Sequence, residues 1–125
     1  MIAYKLCRKK EDGFYPLFIN KNEPFIFGKK MEAHCYPTKG FAVREGFHCC
    51  FKPFAPHLKE TLKSGEQRVW IELEVENYTT YDRPESQGGK WILAQTITPI
   101  REITSEEVKK ILEESNATHL HSFWF

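Results

Sequence analysis

Residues 68–77, Arg-Val-Trp-Ile-Glu-Leu-Glu-Val-Glu-Asn, restrict the fold more than any other stretch of the chain. Val69, Ile71, Leu73 and Val75 alternate with Glu72, Glu74 and Glu76. A period of two fits an extended strand and no helix. Carboxylates on one side and branched apolar groups on the other predict one wet and one buried face, the pattern of an antiparallel sheet packed on one side.

The rest of the chain fits around that strand. Residues 2–8 alternate in the same way and predict a first strand. Glu11-Asp12-Gly13 is a turn signal, and residues 15–19 predict a second strand, with Pro16 at its start or on an edge. Residues 20–30 have no period and read as an irregular connection; residues 31–37 read as a short strand or a turn. Residues 40–51 predict a strand, a turn at Arg44-Glu45-Gly46 and another strand, whose segment 47–51 is apolar on both faces, as a central strand is. Pro53 and Pro56 precede near-helical spacing, which predicts a short helix over about 56–63, ended by Ser64-Gly65. Residues 78–90 are rich in turn formers and read as a loop. Residues 91–103 read as one or two strands with a break or bulge at Pro99.

Thr104 and Glu107 form a capping box at the start of a helix predicted over about 104–115. Val108, Ile111 and Leu112 are its apolar stripe and Asn116 its stop. The tail alternates and ends on Phe123-Trp124-Phe125, as a last edge strand or a segment docked on a groove. These elements predict a single α+β domain over residues 1–125, a mostly antiparallel sheet with one short and one C-terminal helix.

A chain of 125 residues is long enough to bury one core without metal or disulfides. Its 18 basic and 17 acidic side chains leave a net charge of +1, so general binding to phosphate backbones is not expected. The first residues carry a lysine at position 5 and no apolar signal region, and no apolar run approaches the roughly 18 residues of a membrane span. The expectation is a cytoplasmic protein with reduced thiols and no membrane partner. On a strand, Cys49 and Cys50 point to opposite faces and cannot chelate as a pair.

Three constellations carry chemistry. His34, Cys35, His48, Cys49, Cys50 and His57 are zinc-ligand types, but no Cys-x-x-Cys or paired histidine spacing occurs, so no metal site is assigned. A histidine beside a cysteine can activate a thiolate, but on a strand His48 points away from Cys49, and its same-face neighbour Cys50 lies about 6–7 Å along the strand, so no nucleophile is assigned. In residues 82–90, Gly88 and Gly89 allow close backbone approach to a ligand. There Glu85 and Gln87 can orient a hydroxyl or stabilise a cation, and Arg83 or Lys90 can hold a phosphate.

Four pieces together, Ile2-Ala3-Tyr4-Lys5, Gly46-Phe47-His48-Cys49-Cys50, the valine–glutamate strand and residues 97–103, resemble small proteins from tailed phages and gut bacteria over roughly residues 1–104. The layout is also similar to a minimal ADP-ribosyltransferase-type domain. That resemblance implies a groove for NAD or another nucleotide. Tyr4, Lys5, Phe47 and His48 would hold the cofactor with His57 nearby, and Glu85 or Gln87 would act on the ribose as the catalytic position. Under this reading the chain binds NAD or a nucleotide inside a bacterial host cell. The alternative is a non-enzymatic phage accessory protein that binds a host protein through its aromatic terminus, for example as an inhibitor.

Overall fold

The computed structural model describes residues 1–17, 22–33, 46–55 and 67–123, with side chains to residue 114 in the final helix. Six antiparallel strands and one helix occupy these segments: β1 (Ile2–Lys10), β2 (Gly13–Tyr15), β3 (Met31–Glu32), β4 (Phe47–Cys50), β5 (Gln67–Asp82), β6 (Lys90–Ile103) and α1 (Ser105–Phe123). This is the α+β sheet that the alternation predicts. No helix among the described residues is long and apolar enough to cross a membrane. The short helix expected over about 56–63 and the strand expected to precede the turn at Arg44-Glu45-Gly46 fall outside the described residues. The second strand, expected over 15–19, instead occupies Gly13–Tyr15: the ladder with β1 begins at the turn glycine and stops before Pro16, which has no N–H to donate, and residues 18–19 lie outside the described residues.

The ladders close on themselves. β1 pairs with β5 from Ile2↔Glu74 to Lys9↔Gln67, β5 pairs with β6 along most of its length, β6 pairs with β4, and β4 returns to β1 at Tyr4↔Cys50. The result is a small four-stranded barrel with β2 and β3 as short flanking strands. Phe47, Cys49, Ile71, Leu73, Val75, Ile92, Ala94 and Ile97 fill its interior together with Ala3 and Cys7. A second cluster on the outer face, built on Leu6, Cys50, Trp70, Trp91 and Ile103, is covered by Val108 and Ile111 of α1. Trp70 therefore corrects the simple two-face picture of residues 68–77. The glutamate face is wet at Glu74, but at Trp70 it is buried under the helix.

β5 runs five residues beyond its expected end at Asn77, so the predicted loop over 78–90 shrinks to residues 83–89. The hydrophobic pattern stops at Val75, yet the backbone stays paired with β6 through Asp82↔Lys90. Two irregularities shape this long hairpin. Glu72 faces Arg101 and Leu73 faces Pro99, which leaves Ile100 without a partner on β5, the bulge that Pro99 predicts. Asn77 has φ of 51°, in the left-handed region. On either side of it the pairing register is unchanged, but the interior position moves from odd residues (Leu73, Val75) to Ala94 and Ile92 opposite Tyr78 and Thr80. Both strands thus exchange inner and outer faces at one point. Asparagine is among the few side chains that tolerate this backbone.

The capping box forms as expected. Glu107 N donates to Thr104 Oγ1 at 3.1 Å and Thr104 N to Glu107 Oε1 at 3.2 Å. Arg101 then joins sheet to helix, donating through Nε to Glu72 at 3.0 Å and through Nη1 to Glu107 at 2.5 Å. The helix passes the expected stop at Asn116 and ends at Phe123, so the tail to that point is helical and not an edge strand. Asn-Ala-Thr contains no glycine or proline, and a lone asparagine costs a helix too little to end it.

Two outcomes check this account. Replacing Asn77 by valine should lower stability by roughly 1–2 kcal/mol, while glycine should be tolerated, read as the urea midpoint at unchanged slope. An equal midpoint for valine would remove the face exchange as a constraint. The Arg101 hydrogen bond, with the Thr104 backbone bond behind it, holds the Glu107 carboxyl below its usual 4.5. A depressed carboxyl contributes stability that is present above that usual value and lost as pH falls through its folded value. As pH falls below the usual carboxylate range the wild type should therefore lose more stability than Glu107→Gln, which keeps the cap but does not titrate.

Candidate functional site

Gly46-Phe47-His48-Cys49-Cys50 forms the start and body of β4, which lies between β1 and β6. Gly46 has φ of +125°, and a Cβ there would lie 3.0 Å from the Ala94 carbonyl oxygen, so only glycine lets the strand meet β6 this closely. Phe47 and Cys49 point into the barrel and are fully buried, while Cys50 joins the outer cluster. The two thiols thus face opposite ways, as adjacent strand residues must. His48 is half-buried on the outer face, its Nδ1 2.5 Å from the Tyr81 hydroxyl and the two rings edge-on at 5.6 Å.

β1 divides its candidates in the same manner. Lys5 is buried and its Nζ donates to the His48 carbonyl at 2.9 Å, with the ammonium 6.0 Å from the centre of the Phe47 ring. It adds a side-chain bond across the β1–β4 seam, which the ladder itself spans by a single residue pair. Tyr4 lies half-buried on the other face, packed against the outer cluster. Burial raises its hydroxyl pKa, and the Glu72 carboxylate adds to the effect. Tyr4 and His48 therefore share the outer side of the sheet, Lys5 and Phe47 lie on the inner side, and His57 lies outside the described residues.

The three described thiols, Cys7, Cys49 and Cys50, are unsuited to nucleophilic work. Desolvation pushes Cys7 up to about 12 and Cys49 to about 11, and raises Cys50 further; the Lys5 charge opposes this without overcoming it. Among the described residues no three His, Cys, Asp or Glu side chains are grouped to hold a metal ion. His34 and Cys35 fall outside those residues.

The turn between β5 and β6 is tightly built. Gln87 N donates to the Pro84 carbonyl at 2.8 Å, Gly88 N to that of Glu85 at 3.0 Å, and Arg83 N to that of Gly89 at 2.9 Å. Gly88 and Gly89 both hold positive φ, at 98° and 76°. The Trp91 indole N–H donates to the Gln87 carbonyl at 2.7 Å, and the Arg83 guanidinium lies 5.4 Å over the Trp91 ring. Glu85 is exposed, and Gln87 contributes its backbone to the turn.

This turn lies against the segment that follows β4. A Cβ on Gly88 would come within 3.0 Å of both the Phe54 carbonyl oxygen and Trp91 Nε1. Between them opens a shallow cleft of about 280 Å³ lined by Cys50, Phe51, Lys52, Phe54, Gly88 and Lys90. Phe51 and Phe54 are exposed at 44 % and 40 %, and Lys52 Nζ lies 5.7 Å from the centre of the Phe54 ring. Of the loop residues singled out from the sequence, Gly88 and Lys90 reach this cleft; Glu85, Gln87 and His48 do not line it. Phe51, Lys52 and Phe54 were not among the sequence candidates, although their alternation of aromatic and cation next to a proline is a readable signal.

No protein-family model, curated protein or solved structure matches the chain.

Thiol reactivity tests the burial argument. In a Cys35→Ser variant, the three remaining thiols, all buried, should stay unlabelled by an aromatic disulfide reagent in the native protein and react together on unfolding. Rapid native labelling of any of them would return thiolate chemistry to consideration.

Proposed function

We propose that this chain is a ligand-binding module whose cleft takes an anionic aromatic molecule of the nucleotide class. One observation carries the reading. Lys52 and Lys90 line the same opening as the exposed rings of Phe51 and Phe54 and the side-chain-free Gly88. Ammonium groups attract a phosphate, a phenyl face accepts a stacked base, and a glycine backbone admits a ligand at close range. NAD is the first ligand to test, because the layout resembles ADP-ribosyltransferase-type domains and Gly88 and Lys90 lie in the loop that this resemblance selects. Under this reading His48 stiffens the wall beside the cleft through Tyr81, and Lys5 and Phe47 support β4 from inside the barrel. Buried thiols and an exposed Glu85 outside the cleft favour binding over turnover.

A second reading, an accessory protein that binds a protein of its host, draws on a different surface. Ile26 and Phe27 are exposed at 51 % and 43 %, with the Phe27 ring 5.4 Å from that of Phe14. Phe123 ends α1, and the remaining aromatic residues of the tail lie outside the described residues.

Thermal-shift titration with NAD, ADP-ribose and a nucleotide panel tests the first reading. A ligand at 100 times its dissociation constant adds about 2.7 kcal/mol, which raises the melting temperature of a domain this size by roughly 10 °C. The shift should disappear in Lys52→Ala/Lys90→Ala, which removes one half-buried and one exposed lysine, neither of them part of the two core clusters; an unliganded melting temperature close to the wild type's confirms that the variant folds. No shift with any ligand, or a shift that survives in the double variant, overturns the reading.

A further inference from the structure

From Glu76 to Asp82, β5 is paired with β6 along one edge, and among the described residues no strand covers the other. β1 covers that edge as far as Glu74, and Val75 N donates to the Met1 carbonyl at 2.9 Å. Beyond this point no described residue pairs with the edge, and Asn77, Tyr78, Thr79, Thr80 and Asp82 are all exposed. Sheet edges in natural proteins are usually blunted by lysine, proline, a bulge or a covering segment. Tyr78-Thr79-Thr80-Tyr81 has no such device and consists of strong strand formers.

We propose that this edge pairs antiparallel with β5 of a second copy of the chain, so that the sheet continues through a two-fold axis. The inference uses the open edge and stands apart from the cleft. Residues that face each other across an antiparallel pair share a face, and a two-fold axis normal to the sheet preserves faces. The axis must therefore pass beside a residue that faces its own copy, which limits the registers near the middle of the edge to two. With the axis at Thr79, Glu76 faces the partner's Asp82 twice, and like charges directly opposite are unfavourable. With the axis at Thr80, Thr80 faces the partner's Thr80, Tyr78 faces the partner's Asp82 and Thr79 faces the partner's Tyr81, all within β5. Hydroxyl meets hydroxyl and phenol meets carboxylate. No like charges meet, so charge selects the Thr80 register. The edge is complementary to itself, as an isologous contact requires.

Sedimentation of the intact chain across micromolar to millimolar concentration tests this. The wild type should rise from the mass of one 14.7 kDa chain towards that of two. Thr80→Lys and Thr80→Glu each place like charges face to face on the axis and should weaken self-association roughly tenfold. An equimolar mixture of the two variants should recover it, because lysine then faces glutamate. Thr80 is exposed, and matching melting temperatures confirm that both variants fold. A wild type that stays at one chain throughout leaves the edge to a strand from another protein and overturns the dimer. Undiminished association of Thr80→Lys, or a mixture no better than its components, overturns it as well.

Discussion

Every other element depends on the β5–β6 ladder. β1 attaches to β5, β3 and β4 attach to β6, and α1 follows directly from the end of β6 and packs back over the outer cluster. A hairpin of this length must bend to close on its neighbours, because a flat sheet does not form a barrel. Two adjustments accomplish the bend. The bulge at Ile100 adds a residue to one strand and changes which of its faces looks inward; the left-handed Asn77 changes faces on both strands without altering their register. The same ladder can then give Leu73 and Val75 to the interior at one end and Ala94 and Ile92 at the other.

What was legible in the sequence follows from where burial writes a pattern. Residues 69–75 are constrained by a packed interior, and their alternation states it. Thr104 and Glu107 state the helix start because two backbone donors need those oxygens, and Pro99 marks the bulge because proline cannot serve a regular central ladder. The extension of β5 through Tyr-Thr-Thr-Tyr-Asp was not legible. Tyr78, Thr79, Thr80 and Asp82 are exposed and only Tyr81 packs on the outer cluster, so no hydrophobic period marks the stretch, and backbone pairing with β6 largely holds the strand. The helix beyond Asn116 is hidden for the opposite reason: asparagine commonly ends helices, but here the helix tolerates it and continues.

The candidate site was partly legible. Gly46-Phe47-His48-Cys49-Cys50 stands out because it gathers uncommon residues, yet each has a structural reason. The glycine allows a close approach to β6, the phenylalanine and two cysteines fill cores on opposite faces, and the histidine joins Tyr81. A strand covered on both sides needs apolar or small residues throughout, and cysteine satisfies that need as a compact hydrophobe. The glycines of residues 82–90 were read for what they are, since a backbone at positive φ leaves a mark in the sequence. Their partner across the cleft, Phe51–Lys52–Phe54, was overlooked because nothing local shows that two segments far apart in the chain will face each other.

The distribution of support along the hairpin separates a well-covered end from a less-covered one. Near Ile103, β5 and β6 are enclosed by β1 on one edge, by Val108 and Ile111 of α1 on the outer face, and by the Arg101 bridge to Glu72 and Glu107. Towards the turn, β1 has ended, the side chains of 77–80 are exposed, and the cleft opens between Gly88 and Phe54. Ligand and partner surfaces come from such less-covered regions, held in place by a rigid frame. The His48–Tyr81 contact crosses over β6 at the boundary, linking a strand of the closed barrel to the part of β5 that carries the open edge.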